Sequence, residues 1–241
     1  LDKGGKNMAL IEISHLTKTY GGNDIPALED VNISLESGQI VGLLGPNGSG
    51  KTTLIKVLNG LLQSYEGEVL IDGQKPGPYT KSIVSYLPDV TYLQKNQRVS
   101  DIILYFDDLF SDFDKDNMLD LLKTFRIKLN SRCKHLSKGN KEKLQLGLVL
   151  SRKAKVYLLD EPIGGVDPAA RDFIIETILA NYAKDSLVLI STHLIEDIES
   201  ICNSVIMLKE GQVVLQGNCD QIRKEHENKT LNQIFKELFR C

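Results

Sequence analysis

The sequence Gly45-Pro46-Asn47-Gly48-Ser49-Gly50-Lys51-Thr52-Thr53 decides the fold of this chain. It matches the pattern G-x-x-x-x-G-K-[ST], and it lies between the apolar run 39–44 and the helix-like run 54–58, in the order that the pattern requires. The glycines let successive backbone N–H groups face one point, and the following helix adds the partial positive charge of its N-terminus. The stretch therefore predicts a phosphate-binding loop rather than a glycine-rich turn that binds nothing.

Two side chains of this loop carry the chemistry that the pattern predicts. Lys51 is expected to reach the β and γ phosphates of a nucleoside triphosphate, and the Thr52 hydroxyl to bind the Mg²⁺ that accompanies it. The expected ligands are therefore a nucleoside triphosphate and Mg²⁺. The residues predicted to bind the nucleotide in this loop are Gly45, Asn47, Gly48, Ser49, Gly50, Lys51, Thr52 and Thr53.

Polar side chains also follow two apolar runs that read as buried parallel strands. The run 156–159 ends in the adjacent acids Asp160 and Glu161, and the run 187–190 leads to His193. Functional groups collect at the carboxyl ends of such strands. We expect Asp160 to hold Mg²⁺ beside Thr52, Glu161 to orient and deprotonate the attacking water, and His193 to contact the terminal phosphate. The alternatives are a solvated turn for the acids and a structural role for the histidine.

Alternating patterns before and after the phosphate loop predict antiparallel strands. These patterns are 8–14 and 27–35 on one side and 67–73 on the other, where Asp72-Gly73 indicates a hairpin turn. Tyr20 lies between the patterns at 8–14 and 27–35. Its ring either stacks on a purine base or caps the edge of the sheet, and its position alone does not decide between the two.

Between 100 and about 151 the apolar residues fall at helical spacing, which predicts a helical insert. Ser137 and Gly139 stand at the start of a helical pattern, where a hydroxyl and free N–H groups form either a second anion site or an ordinary helix cap. Asp112, Asp114 and Asp116 resemble the start of a calcium loop. Asn117 and Lys123 occupy the positions of its glycine and glutamate, so we expect these aspartates to cap the next helix instead.

The last third of the chain predicts structure without further chemistry. A helix is expected over 169–183, a hairpin over 205–217 with Glu210-Gly211 at its turn, and a helical tail over 220–240. Residues 1–7 precede the first methionine, Met8, and are read as a remnant of expression.

Composition excludes several classes of protein. A formal net charge of −3, with acidic and basic residues mixed, disfavours nucleic acid as a partner. No apolar run approaches the ~18 residues that a membrane helix needs. The cysteines have no C-x-x-C spacing, which indicates reduced thiols in a cytosolic protein rather than a disulfide framework or a zinc site. They are Cys133, Cys202, Cys219 and Cys241.

Taken in order, these motifs resemble the ATP-binding subunit of an ABC transporter, from Ile11 to Gly217. The family's phosphate loop corresponds to 45–52, and its adenine-stacking aromatic residue to Tyr20. Its acidic strand corresponds to 156–161, and its switch histidine to His193. Its Leu-Ser-Gly-Gly-Gln motif, here called the helix-capping motif, corresponds to 136–140. The turn after the acidic strand matches 164–167. The resemblance implies a P-loop NTPase of α/β class, with a RecA-like parallel-sheet core, an antiparallel β subdomain and an inserted helical subdomain at about 90–152. It places the ATPase domain at 8–219 and the helical tail at 220–241.

The resemblance further implies a face-to-face dimer. Ser137, Lys138, Gly139 and Asp167 of one subunit would contact the ATP bound by the other. A separate transmembrane permease would be a second partner, which places the chain in the cytoplasm on the inner face of the membrane. The residues in and around these motifs are similar to those of ATPases from Gram-positive exporters of drugs, antimicrobial peptides and phenol-soluble-modulin-type toxins. One alternative is a soluble ABC ATPase of cofactor or cluster assembly. Another is a P-loop kinase, but a kinase would leave the helix-capping motif and His193 unexplained.

The chain departs from the family pattern in two places. Lys138 and Asn140 replace glycine and glutamine in the helix-capping motif, while Ser137 and Gly139 are kept. Asp89 stands where glutamine is usual, in the loop that joins core to insert, and is expected to be a further Mg²⁺ ligand. Because aspartate is shorter and charged, the usual coupling to the permease is expected to change.

Overall fold

A computed structural model of the chain describes residues 9–22 and 24–239. The strands are β1 (Ile11–Lys18), β2 (Leu28–Leu35), β3 (Gln39–Leu44), β4 (Glu66–Ile71), β5 (Val84–Leu87), β6 (Val156–Asp160), β7 (Leu187–Thr192), β8 (Ser204–Lys209) and β9 (Gln212–Asn218). The helices are α1 (Lys51–Leu58), α2 (Pro78–Ile83), α3 (Val99–Leu109), α4 (Lys115–Phe125), α5 (Lys138–Leu150), α6 (Pro168–Asn181), α7 (Ile195–Ile198), α8 (Cys219–Glu225) and α9 (Leu231–Leu238).

The larger sheet has the strand order β5-β6-β7-β3-β8-β9. Its first five strands are parallel, and β9 runs antiparallel to β8. Every residue of β6 and β7 is buried, as expected for parallel strands that are covered on both faces. The predicted α/β class with a parallel-sheet core is confirmed.

Different elements cover the two faces of this sheet. On one face, apolar residues of α5, α6 and the C-terminal helices pack against strand residues such as Leu44 and Leu159. On the other face, Leu43 and Leu158 pack against α1 and the smaller sheet. Burial of these apolar side chains supplies most of the driving force for folding.

The smaller sheet is antiparallel, with the order β2-β1-β4, so strands before and after the phosphate loop pair as predicted. Its first strand runs to Lys18 rather than Ser14, and it contains a bulge at His15, where φ is 52°. Gly67 faces this bulge, and a Cβ there would lie 2.3 Å from the His15 carbonyl oxygen, so only glycine fits. Met8 lies outside the described residues.

Helices α3, α4 and α5 form the predicted helical insert around an apolar cluster of their own. Asp114 caps α4 as predicted, because its carboxylate accepts a hydrogen bond from the Asn117 N–H at 3.0 Å. The limits predicted for the insert, for the ATPase domain and for the tail stay predictions.

Two local predictions are wrong. Asp72 and Gly73 do form a tight turn, closed by a bridge between Ile71 and Gln74, but no second strand follows. The chain instead enters α2, because Pro78 provides a helix start and lacks the N–H that a ladder needs. This helix ends at Ile83, and β5 begins at the next residue, Val84.

The helical tail is also not continuous. It divides into α8 and α9, because Glu227 and Asn228 adopt left-handed backbone angles of 57° and 60° that end a helix. Arg240 lies outside the described residues. The hairpin of β8 and β9 is confirmed, and its turn residues Glu210 and Gly211 both have positive φ.

Candidate nucleotide-binding site

The phosphate loop connects β3 to α1, and its glycines are required by close contacts and by backbone angles. A Cβ on Gly45 would lie 2.5 Å from the Leu208 carbonyl oxygen, and one on Gly50 would lie 2.6 Å from the Ala27 carbonyl oxygen. Gly48 and Gly50 also have φ values of 83° and 108°, which larger residues rarely adopt. The loop therefore wraps tightly around the start of α1 and turns backbone N–H groups toward a common point.

Lys51 is the first residue of α1, and its side chain is only 5% exposed. Its ammonium group donates hydrogen bonds to the carbonyl oxygens of Gly45 at 2.7 Å and Pro46 at 3.2 Å. It also lies 3.5 Å from Glu161 Oε1. The structure thus places the cation of the phosphate loop directly against the acid at the end of β6.

Asp160 ends β6 and is buried beside Thr52. Its Oδ1 accepts hydrogen bonds from the Ser191 hydroxyl at 2.6 Å and from the Thr52 hydroxyl at 3.3 Å. Burial raises the pKa of the Asp160 carboxyl, the bonds from Ser191 and Thr52 oppose this, and the charges of Asp89 and Glu161 add to the rise. Its Oδ2 is buried and has no hydrogen-bond partner among the described residues.

This arrangement fits a magnesium ion. Asp160 Oδ2 is a buried, unpaired oxygen next to the Thr52 hydroxyl, and Mg²⁺ in nucleotide sites binds one or two protein oxygens together with phosphates. Within the described ranges, no group of three or more His, Cys, Asp and Glu side chains could hold a metal ion. The protein side therefore provides part of a coordination shell that phosphate oxygens would complete.

Glu161 and His193 also meet at this edge of the sheet. The ring nitrogen Nδ1 of His193 lies 3.1 Å from Glu161 Oε2, and the other carboxylate oxygen of Glu161 faces Lys51. Glu161 has a φ of 49°, which is unusual for a residue with a side chain. The structure thus brings together Lys51, Thr52, Asp160, Glu161 and His193, five of the residues predicted from sequence.

Asp89 and Tyr20 lie at the margins of this group. Asp89 is exposed in the loop after β5, and in the described part of the chain it forms no hydrogen bond or ion pair. Burial raises the pKa of Tyr86 to about 12, and the charges of Asp160 and Asp89 add to the rise. The Tyr20 hydroxyl lies 3.3 Å from Thr53 Oγ1, which places this 38% exposed ring beside the start of α1.

The residues predicted to act across a dimer lie apart from the phosphate loop. Ser137 and Asp167 are exposed caps of α5 and α6, and their side chains accept hydrogen bonds from the Asn140 and Ala170 N–H groups. Gly139 has open space around it. Lys138 pairs with Glu142 at 3.7 Å. Among the described residues, none of these four forms a hydrogen bond or ion pair with the phosphate loop.

A cavity of about 400 Å³ lies between the loop after β5, helix α5 and the turn at 160–164 that follows β6. Asp89, Asp160 and Glu161 line it, as does Gln145, which is 3% exposed and whose side chain forms no hydrogen bond within the described ranges. Sequence analysis missed both Gln145 and Ser191. A polar residue inside an apolar pattern was the available signal, but its partners depend on the packing of distant elements.

No helix in 9–22 or 24–239 combines the length and the apolar character that crossing a bilayer demands.

Comparisons with known proteins agree with this geometry. A family model described as "ABC transporter" matches residues 28–164. The chain is 30% identical over 227 residues to an uncharacterized ABC transporter ATP-binding protein, YhaQ, of Bacillus subtilis, covering 92% of this chain and 76% of that protein. It is 29% identical over 226 residues to the SkfA peptide export ATP-binding protein SkfE of the same organism, and the match covers 91% of this chain and 94% of SkfE. A solved structure described as an ATP-binding subunit of an ABC transporter has a TM-score of 0.85 and 29% identity, covering 96% of this chain and 100% of that one.

Proposed function

The chain belongs to the ABC transporter family of ATP-binding subunits, which hydrolyse ATP for transport, and from this premise we propose that it drives export through a separate permease. We infer that it works as a face-to-face dimer on the cytoplasmic side of the membrane. The observation that carries the proposal is the convergence of Lys51, Thr52, Asp160, Glu161 and His193 at the carboxyl edge of one parallel sheet.

Each residue of this group has a proposed task. Lys51 would bind the β and γ phosphates of ATP, while Thr52 and Asp160 would hold Mg²⁺, which would neutralise phosphate charge. Glu161 orients the attacking water and accepts its proton. His193 contacts the terminal phosphate and, through its 3.1 Å contact, fixes the Glu161 carboxylate. Asp89 lines the same cavity and is proposed as a residue that would supply a further oxygen ligand.

A second copy of an ATPase subunit is proposed to complete the site. Ser137, Lys138, Gly139 and Asp167 stand on exposed helix starts without bonds to their own phosphate loop in the described part of the chain. The open surroundings of Gly139 leave its backbone accessible to a phosphate of the facing subunit. ATP then links two subunits, because it makes contacts that only the closed dimer offers.

The proposals of a permease and of export have separate support. SkfE, a relative that covers nearly the whole chain, is named for peptide export. In addition, several large apolar side chains are exposed on the loop after β5 and on α3, where a membrane subunit would cover them. They are Val90, Tyr92, Leu104, Tyr105 and Leu109.

Nucleotide binding is tested by Lys51→Ala. We expect this change to abolish measurable ATP binding in calorimetry, because it removes the buried cation of the loop. Lys56→Ala is the matched control, since Lys56 lies on the same helix and, among the described residues, forms no ion pair. Unchanged affinity in Lys51→Ala would contradict the assignment of the loop.

The transport role is tested by purifying the chain together with a candidate membrane protein that a neighbouring gene encodes. We expect a stable complex whose ATP hydrolysis rises when cargo is added. Stimulation by a soluble assembly partner, with no membrane protein bound, would contradict export. Asp89→Gln in the same complex tests coupling, and a partner-stimulated rate indifferent to it would remove Asp89 from that role.

A further inference from the structure

Ser191 lies on β7, between the strand that leads into the phosphate loop and the strand that ends in the acids. In the sheet register it pairs with Leu43 of β3 and with Asp160 of β6. Its side chain is completely buried, and its neighbours along the strand are apolar up to this point. A buried hydroxyl at this position needs hydrogen-bond partners, and it finds both of them on the acidic strand end.

The hydroxyl of Ser191 contacts the two acids in different ways. It donates to Asp160 Oδ1 at 2.6 Å and accepts from the backbone N–H of Glu161 at 3.0 Å. An amide N–H can only donate, so the single hydroxyl proton is directed to the carboxylate. One side chain therefore orients two consecutive acids.

The bond to Asp160 determines which of its oxygens stays available. Oδ1 is occupied by Ser191 and by the weaker contact with Thr52, whereas Oδ2 is buried without a partner in the described ranges. A short bond to a charged acceptor limits rotation of the carboxylate. The carboxylate thus presents one fixed, unpaired oxygen.

The bond to Glu161 supports an unfavourable backbone angle. Glu161 has a φ of 49°, and its N–H is shared between the hydroxyl and the carbonyl oxygen of Ser191, at 3.0 and 3.1 Å. Its own carbonyl accepts from Gly164 N–H at 2.9 Å. This turn directs the Glu161 carboxylate to Lys51 and His193.

We propose that Ser191 is a positioning residue for ATP hydrolysis, which sets the metal-binding oxygen of Asp160 and the backbone turn of Glu161 together. This inference rests on the proposed roles of the two acids. Ser191 acts only through them, so its loss weakens metal binding and turnover while the phosphate loop stays intact.

The test compares Ser191→Ala with Ser85→Ala. Ser85 is a matched control, because it is a buried serine of β5, a strand of the same sheet, and its hydroxyl donates to the Val149 carbonyl oxygen at 2.9 Å, away from the acids. The first measurement is Mn²⁺ affinity by electron paramagnetic resonance with a non-hydrolysable ATP analogue. Because a hydrogen bond to a charged group is lost, we expect Ser191→Ala to bind Mn²⁺ about tenfold more weakly, with Ser85→Ala unchanged.

Two further readouts separate positioning from general damage. Affinity for ATP in EDTA is expected to stay within about twofold of the parent chain, since Lys51 and the loop glycines are untouched, while kcat at saturating Mg²⁺ falls about tenfold. Ser191→Cys fills similar space but offers a much weaker donor and acceptor, so it should lose Mn²⁺ affinity as Ser191→Ala does.

Three results would overturn the proposal. They are parental Mn²⁺ affinity in Ser191→Ala, full recovery of that affinity in Ser191→Cys, and an equal loss in Ser85→Ala. Failure of the proposed function looks different, because the parent chain itself would then not bind ATP or would bind it without Mn²⁺.

Discussion

Buried polar groups differ between the two ends of the parallel strands in the six-stranded sheet, which we call its amino edge and its carboxyl edge. Within the described ranges they are paired at the amino edge, whereas two buried atoms at the carboxyl edge are unpaired. At the amino edge, where β5 and β6 begin, the buried Arg152 has its partners in place. At the carboxyl edge, where β3 and β6 end, Ser49 Oγ and Asp160 Oδ2 are buried and have no partner among the described residues. An unpaired buried polar atom destabilises a fold, so its retention indicates a group that is satisfied by a ligand.

Arg152 shows what a structural polar cluster looks like in this protein. Its guanidinium bonds both carboxylate oxygens of Asp112 at 2.9 Å and donates to the Val84 carbonyl oxygen at 2.7 Å. It also stacks on Phe110 at 3.9 Å from the ring centre. These contacts tie the helical insert to the start of β5. The comparison therefore assigns stability to the amino edge and ligand binding to the carboxyl edge, and the following changes test that division.

The largest effect is expected from Glu161→Gln at the carboxyl edge. Loss of the base should lower kcat by about 100- to 10,000-fold, while ATP affinity is preserved because Lys51 and the loop remain. Single-turnover hydrolysis and equilibrium ATP binding measure the two quantities. A variant that hydrolyses ATP at the parental rate would remove Glu161 from the role of base.

Arg152→Met tests the amino edge. It leaves Asp112 without its partner and should lower the free energy of unfolding by about 3 kcal/mol in urea denaturation. ATP affinity measured where the variant is folded should not change. Lys153→Met is the control, because Lys153 is 71% exposed and its pair with Asp114 contributes at most about 1 kcal/mol. An equal loss in both variants would contradict the special place of Arg152.

A matched pair of helix caps tests the helical insert. Ser137 and Thr230 are both exposed and both accept a hydrogen bond at 3.2 Å, so replacement of either by alanine should cost about 1 kcal/mol of stability. Only Ser137→Ala should also reduce ATP hydrolysis at high protein concentration, because only Ser137 is proposed to meet ATP in the facing subunit. Equal hydrolysis in the two variants would assign Ser137 a purely structural role.

The smallest effect is expected from Ser49→Ala, and its sign is informative. Because the Ser49 hydroxyl is buried without a partner in the described part of the chain, its removal should raise the free energy of unfolding by up to about 1 kcal/mol. The same change should weaken Mg-ATP binding. Destabilisation with unchanged ATP affinity would show that this edge does not reserve polar groups for a ligand.

Much of the fold could be predicted because its signals are local. The glycines, Lys51 and the helix of the phosphate loop are adjacent in sequence, and the buried strands β6 and β7 are continuous apolar runs. The hairpin turn at Glu210 and Gly211 is equally local. Patterns of this kind need no knowledge of what packs against them.

What escaped prediction depends on contacts between distant residues. The role of Ser191 follows from the register that sets it beside Asp160, 31 residues away, and the burial of Gln145 follows from the packing of α5 on the core. The break in the helical tail arises at Glu227 and Asn228, which adopt left-handed backbone angles although neither is a glycine. Gln145 and Ser191 are visible as polar residues within apolar patterns, but the local sequence does not identify their partners, and it does not mark Glu227 and Asn228 as a helix break.

The central claim is that the carboxyl edge is half of a site and that a second subunit completes it. The most direct measurement is the mass of the Glu161→Gln chain by light scattering at saturating Mg-ATP, with Lys51→Ala added to the same chain as the control. We predict about twice the 26.9 kDa of one chain with ATP, and a monomer without ATP or in the control. A strictly monomeric Glu161→Gln chain, loaded with ATP at high concentration, would contradict the account.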